Sequence, residues 1–106
     1  MSLDLGFELH PGAAEDFLDI WEFLAADNPT AAQRLREEIV DAIVKLVPMP
    51  HRGHRRSDLT NRPLRFQRVR DYLIAYAPDE NPLLVIAIFH GRRDPDLLWS
   101  ILEQRQ

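Results

Sequence analysis

Cysteine is absent from the 106 residues. Neither a disulfide framework nor a thiolate metal site is therefore available, and a reducing compartment is the expected setting. Long apolar runs are missing too. The longest, "PLLVIAIF" at 82–89, falls well short of the roughly 20 residues that span a bilayer and suits a buried strand, so a membrane span is excluded. The opening "MSLDLGFELH" lacks the basic-then-apolar order of a secretory signal, which makes the cytoplasm the expected location. No internal repeat and no low-complexity tract interrupts the chain. With 45% hydrophobic and 28% charged residues, the composition predicts one domain over 1–106 built on one core.

Charge is present but unevenly spread. The formal net charge of -4 conceals ten acids against three bases in residues 1–50, then seven arginines against Asp58 and Asp71 in residues 51–76. A molecule with two electrical sides follows. An acidic half repels a polyphosphate backbone within a Debye length of roughly 8–10 Å, so direct nucleic-acid binding is not expected, whereas a local basic patch can receive an anionic partner.

Local patterning orders the elements. "FELH" at 7–10 reads as a short edge strand ending at Pro11, which suits the first turn of a helix. From Gly12 onward Ala14, Phe17, Leu18, Trp21, Leu24 and Ala25 recur at helical spacing. Asn28 and Pro29 then cap and start a second helix, whose stripe is Ala32, Leu35, Ile39, Ala42, Ile43 and Leu46. Prolines 48 and 50 end it and open a loop over 48–64. "RFQRV", "YLIAYA" and "LLVIAIFH" are β-rich runs, the last two apolar at nearly every position and so predicted to be central strands covered on both faces. Asp94 and Pro95 start a short helix carrying Leu98, Trp99, Ile101 and Leu102. The predicted fold is α+β: an N-terminal strand, a helical hairpin, a three-stranded antiparallel meander and a short C-terminal helix. Trp21 and Trp99 are assigned to the core, and Tyr72, Ile74 and Tyr76 share one strand face.

"DIWEFLAADNPTAAQRLREEI" at 19–39, the arginines of the following loop and "YLIAYAPDENPLLVIAIFHGRRD" at 72–94 together resemble the RelE/ParE superfamily of bacterial toxins, from about Phe7 to Leu102. "DNPTAAQRL" and "HGRRD" are similar to the ParE branch, associated with plasmid stabilisation. The resemblance implies the toxin of a type II toxin-antitoxin pair, bound and neutralised by a cognate antitoxin in a hetero-oligomer. ParE-like members poison DNA gyrase and block replication; RelE-like members cut messenger RNA in the ribosomal A site. RelE-like nucleases tend to carry a tyrosine or histidine near the C-terminus and a strongly basic surface, and "LLWSILEQRQ" has neither residue in an acidic protein. The expected activity is therefore non-enzymatic gyrase inhibition, with two alternatives: a ribosome-dependent endoribonuclease, or an inactive homologue that only binds its antitoxin.

Cleavage by a 2′-hydroxyl needs a base, an acid and cations for the phosphate, and the residues on offer for that alternative are His90 or Tyr72 with Arg68 and Arg92. Docking needs only a shaped surface. Its candidates are Arg52, Arg55 and Arg56 of the loop, Arg65 and Arg68 of the next strand, and Arg92 and Arg93 after the last strand. Ile20 and Phe23 are apolar residues of the first helix left for an antitoxin groove. His51 and His54 lack the third and fourth ligands that zinc requires, so no metal and no cofactor is expected.

Overall fold

The structure, a computed structural model, describes residues 5–106, so the first four residues of the stretch read for a secretory signal lie outside it. Strand β1 (Phe7–Leu9) leads into helices α1 (Pro11–Asp27) and α2 (Pro29–Leu46). A single 3-10 turn at Pro50–Arg52 precedes β2 (Arg65–Val69), β3 (Tyr72–Ala77) and β4 (Leu83–His90), and α3 (Pro95–Gln104) closes the fold. Strand order is β1-β4-β3-β2, with β2, β3 and β4 an antiparallel meander and β1 parallel to β4. This is the α+β arrangement expected, with β3 and β4 central.

Helix starts follow their local chemistry. Asn28 Oδ1 accepts from the Ala31 N–H at 3.0 Å ahead of Pro29, and Asp94 Oδ1 accepts from the Asp96 N–H at 2.9 Å ahead of Pro95. Each satisfies a first-turn donor that the helix itself leaves unpaired. His10 does the same for α1, its Nδ1 accepting from the Gly12 N–H at 2.9 Å.

Two cores lie on the two faces of the sheet. One joins Leu35, Ile39 and Ile43 of α2 with Ile74, Tyr76, Val85 and Ile88; the other joins Leu59 and Leu64 of the loop and Leu98 and Leu102 of α3 with Phe66, Leu73, Ala87 and Phe89. Because both faces are covered, β3 and β4 are apolar at consecutive positions. Opposite β4 the register slips: Ala75 faces Ala87 but Tyr76 faces Val85, leaving Ile86 as an extra residue in a β-bulge.

Two expectations are corrected. Helix α1 turns Ala13, Asp16, Phe17, Ile20 and Leu24 inward, while Trp21 is 37% and Leu18 53% exposed, so Trp21 is not core. Two apolar stripes interleave on this helix and share Phe17 and Leu24; spacing alone does not choose between them, and the sheet selects the one that sets Asp16 against β4. Trp99 is only half-buried, since α3 packs through Leu98 and Leu102. The 48–64 segment is a loop, as expected, with the 3-10 turn in it, and it is anchored to the sheet. Tyr76, itself fully buried, accepts from the Gly53 N–H at 2.9 Å and donates to the Pro50 carbonyl at 2.7 Å. His54 and Phe66 exchange backbone hydrogen bonds at 2.9 and 2.8 Å. Any side chain at Gly53 would strike the Tyr76 hydroxyl and the Phe66 carbonyl, so the closeness of this anchor requires glycine.

Candidate functional site

The parallel pairing of β1 covers only Leu83 to Val85 of β4. Beyond it, β4 has no neighbouring strand on that side, and side chains occupy the edge instead. Asp16 Oδ2 accepts from the Ile88 N–H at 3.0 Å, and Arg105 NH1 donates to the Ile86 carbonyl on the same edge at 3.1 Å. The two side chains clasp one another through NH1–Oδ2 at 2.6 Å and NH2–Oδ1 at 3.1 Å, with about a fifth of each exposed. A side chain at Gly12 would collide with this guanidinium. The clasp ties the end of the chain to the first turns of α1, across an edge that would otherwise present unpaired backbone groups.

Past the clasp, toward the exit of β4, lies a cavity of about 320 Å³ lined by Asp16, Asp19, Ile20 and Phe23 of α1, Tyr72, Ile88 to His90, and Arg93. His90 stands here with its Nδ1 accepting from the Arg92 N–H at 3.1 Å, its ring edge-on to Tyr72 with centroids 5.4 Å apart. Five residues singled out in the sequence thus surround one space: Ile20, Phe23, Tyr72, His90 and Arg93. Ile20 also packs on the core, whereas Phe23 is 76% exposed. The opposite flank of α1 carries a larger apolar groove of about 510 Å³ lined by Phe7, Leu9, Phe17, Leu18, Trp21 and Val40 among others, with Arg36 and Gln33 at its side. Helix α1 therefore separates two hollows, with Leu18 and Trp21 on one flank, Phe23 on the other, and the exposed Glu15, Asp19 and Glu22 along the ridge between them. The sequence reading did not identify the larger one, because it placed Leu18 and Trp21 in the core.

The arginines do not form one rim. Arg68 reaches toward Gly91 and donates weakly to the Arg70 carbonyl at 3.4 Å, near the turn that carries the exposed Arg92 and Arg93. Arg65 stands at the other end of β2, opposite Tyr76, and donates to the Gly53 carbonyl at 2.8 Å, which makes it an anchor of the loop. Arg52 lines a separate groove beside Lys45 and Arg70. Arg56 is held by Asp58 through two bonds of 2.9 Å; this hydrogen-bonded pairing raises the guanidinium pKa and lowers that of the carboxylate. Arg55 lies in the same turn.

His51 approaches Asp79 at 3.4 Å while His54 serves the bridge to Phe66, so the two histidines have different neighbours. Among the described residues no group of three or more His, Cys, Asp or Glu converges as a metal site, and no helix is long and apolar enough to cross a membrane. Asp16 and Arg105 had no signal as site residues in the sequence, since the partners of the clasp stand 89 positions apart, and Tyr76, read with Tyr72 on one strand face, spends its hydroxyl on the loop.

In comparison with known proteins, the family model described as the ParE toxin of type II toxin-antitoxin system, parDE, matches residues 7–95. The match takes in the whole sheet and the helical hairpin and stops where α3 begins. No curated protein matches the chain.

Proposed function

The chain belongs to the ParE toxin family of type II toxin-antitoxin systems, and from that premise we propose that a cognate antitoxin holds it inactive and that, once free, it poisons DNA gyrase and blocks replication in the cytoplasm. The α1 ridge supports the antitoxin half of this reading. Leu18, Trp21 and Phe23 are large apolar side chains left in solvent on a helix whose inner face is already packed, with a hollow on either side. Apolar flanks of this kind fit an amphipathic or folding-on-binding segment that wraps across the helix, and the toxin-antitoxin hetero-oligomer is the assembly that would cover them.

The observation that carries docking over cleavage is the composition of the cavity at the exit of β4. It holds His90 and Tyr72, but with two aspartates and a single arginine around them. With Asp16 already neutralised by Arg105, Asp19 and Arg93 leave the lining without the net positive charge that would stabilise a phosphate during attack. Both faces of the central strands β3 and β4 are also covered, leaving no open surface on them for a nucleotide chain. Arg68, Arg92 and Arg93 supply a cationic shoulder beside the ridge for a protein target.

The ribonuclease alternative rests on one observation, the contact between His90 and Tyr72. Induced expression in a bacterial host without antitoxin separates the readings when thymidine and methionine incorporation are followed over the first minutes. Early loss of thymidine uptake is the expected result. Early loss of methionine uptake would move His90, Tyr72, Arg68 and Arg92 to catalytic roles, and harmless expression would mark an inactive homologue.

A further inference from the structure

Away from α1, the turn that joins the 3-10 segment to β2 folds around a cavity of about 290 Å³ lined by Arg55, Arg56, Ser57, Thr60, Asn61, Arg62, Pro63 and Leu64. Every polar side chain in that lining is able to donate a hydrogen bond, and none is a carboxylate. We propose that this turn is a binding site for a phosphoryl dianion carried by a small molecule.

Local hydrogen bonds shape the cradle. The N–H groups of Leu59 and Thr60 return to the Arg56 carbonyl at 3.0 and 3.2 Å, and that of Leu64 to the Arg62 carbonyl at 2.7 Å. Those two acceptors are thereby occupied within the turn. Thr60 is the buried polar residue of the described chain, 5% exposed; its hydroxyl accepts from the Arg62 N–H at 3.0 Å, and among the described residues no acceptor takes its proton. A buried hydroxyl with an uncommitted donor is costly unless something accepts from it.

Charge sets the class of ligand. Asp58, outside the lining, neutralises Arg56 through a two-bond pairing. Arg62 spends NH1 on the Leu102 carbonyl at 2.6 Å and on the Arg105 carbonyl, where it caps the C-terminal end of α3, but keeps its charge and its other donors. Arg55 forms no ion pair among the described residues. Arg55 keeps its full charge and Arg62 the part that the α3 carbonyls do not take up, a surplus that exceeds what a single carboxylate needs, and the planar fork of arginine suits phosphoryl oxygens. The volume stands at the small end of ligand pockets, roughly 300 Å³, and no aromatic ring lines it for a base to stack on. Recognition therefore falls on the phosphoryl group, from free inorganic phosphate or from a phosphate monoester of nucleotide type.

Amide chemical-shift titration of the full chain tests the site, using inorganic phosphate, a nucleoside monophosphate, the same nucleoside without phosphate, and chloride at matched ionic strength. Saturable shifts centred on residues 55–62 with both phosphates, and none there with nucleoside or chloride, are expected. Tighter binding of the monophosphate would identify the monoester as the ligand; equal binding would identify free phosphate. Arg55→Gln, at an exposed position, should weaken binding about tenfold or more, the loss of one charge-assisted contact. Arg34→Gln, an equal charge change on α2, should leave it unaltered. Equal effects of the two variants, or shifts reproduced by chloride, would overturn the site and leave the toxin reading untouched.

Discussion

Replacing Arg105 by alanine removes one half of the clasp and strands the other. Asp16 keeps only the Ile88 N–H, and the Ile86 carbonyl in the bulge loses its donor. Breaking a fully buried pair by removing one partner costs about 3–5 kcal/mol. With about a fifth of each side chain exposed, water recovers part of that, and about 2–3 kcal/mol is the appropriate scale. For a domain of this size, about 4–8 °C per kcal/mol places the fall in Tm at roughly 10–20 °C. Gly12 offers a sharper check, because its substitution acts through the same guanidinium. In the natural chain Gly12→Ala forces Arg105 aside and destabilises; in the Arg105→Ala background the collision is gone, and alanine should become neutral or stabilising by about 0.5–1 kcal/mol through its better helix propensity. Urea melts of the four proteins, fitted with a common slope, read that reversal directly. A Gly12→Ala penalty that persists without Arg105, or an Arg105→Ala loss below about 0.5 kcal/mol, would show that the clasp does not hold the edge.

Tyr76→Phe should cost about 1–3 kcal/mol by leaving the Gly53 N–H and the Pro50 carbonyl unpaired. Burial raises the Tyr76 pKa above the ordinary tyrosine value of 10.0; the stability linked to its neutral form is present below that value and lost as pH rises through the folded pKa, so alkaline melts should be flatter in the phenylalanine variant. Phe23→Asp, at a 76% exposed position, should leave the thermal melt within about 0.5 kcal/mol of the natural chain while weakening antitoxin binding by about 2 kcal/mol or more, or about thirtyfold in Kd. Unchanged affinity by calorimetry would remove Phe23 from the interface. Arg92→Glu with Arg93→Glu should abolish growth arrest with an unchanged circular dichroism spectrum; retained toxicity would leave the cationic shoulder without a role.

What was legible in the sequence is what local chemistry determines. Asn28-Pro29 and Asp94-Pro95 marked helix starts because a short acceptor followed by a preset φ acts within three residues. Consecutive apolar residues in β3 and β4 announced two covered faces, and α2, the loop and α3 supply the covers. Ile20, Phe23, Tyr72, His90 and Arg93, chosen from three separate elements, surround a single cavity. The inward face of α1 was not legible, since two stripes share Phe17 and only the sheet decides between them. Nor was the Asp16 to Arg105 clasp, whose partners meet because a three-residue β1 ends early and leaves the Ile86 carbonyl and the Ile88 N–H without a strand to pair them. The loop arginines read as one cluster in sequence but divide in space, with Arg65 anchoring Gly53, Arg56 held by Asp58, and Arg68 extending toward Gly91.

The central claim is that the free chain acts on gyrase. The most direct measurement mixes purified chain with DNA gyrase, ATP and relaxed plasmid, followed by detergent and protease to reveal trapped cleavage complexes. The account predicts linear plasmid that increases with chain concentration and disappears when cognate antitoxin is added. Normal supercoiling with no trapped breaks, from chain that arrests growth when expressed, would contradict it.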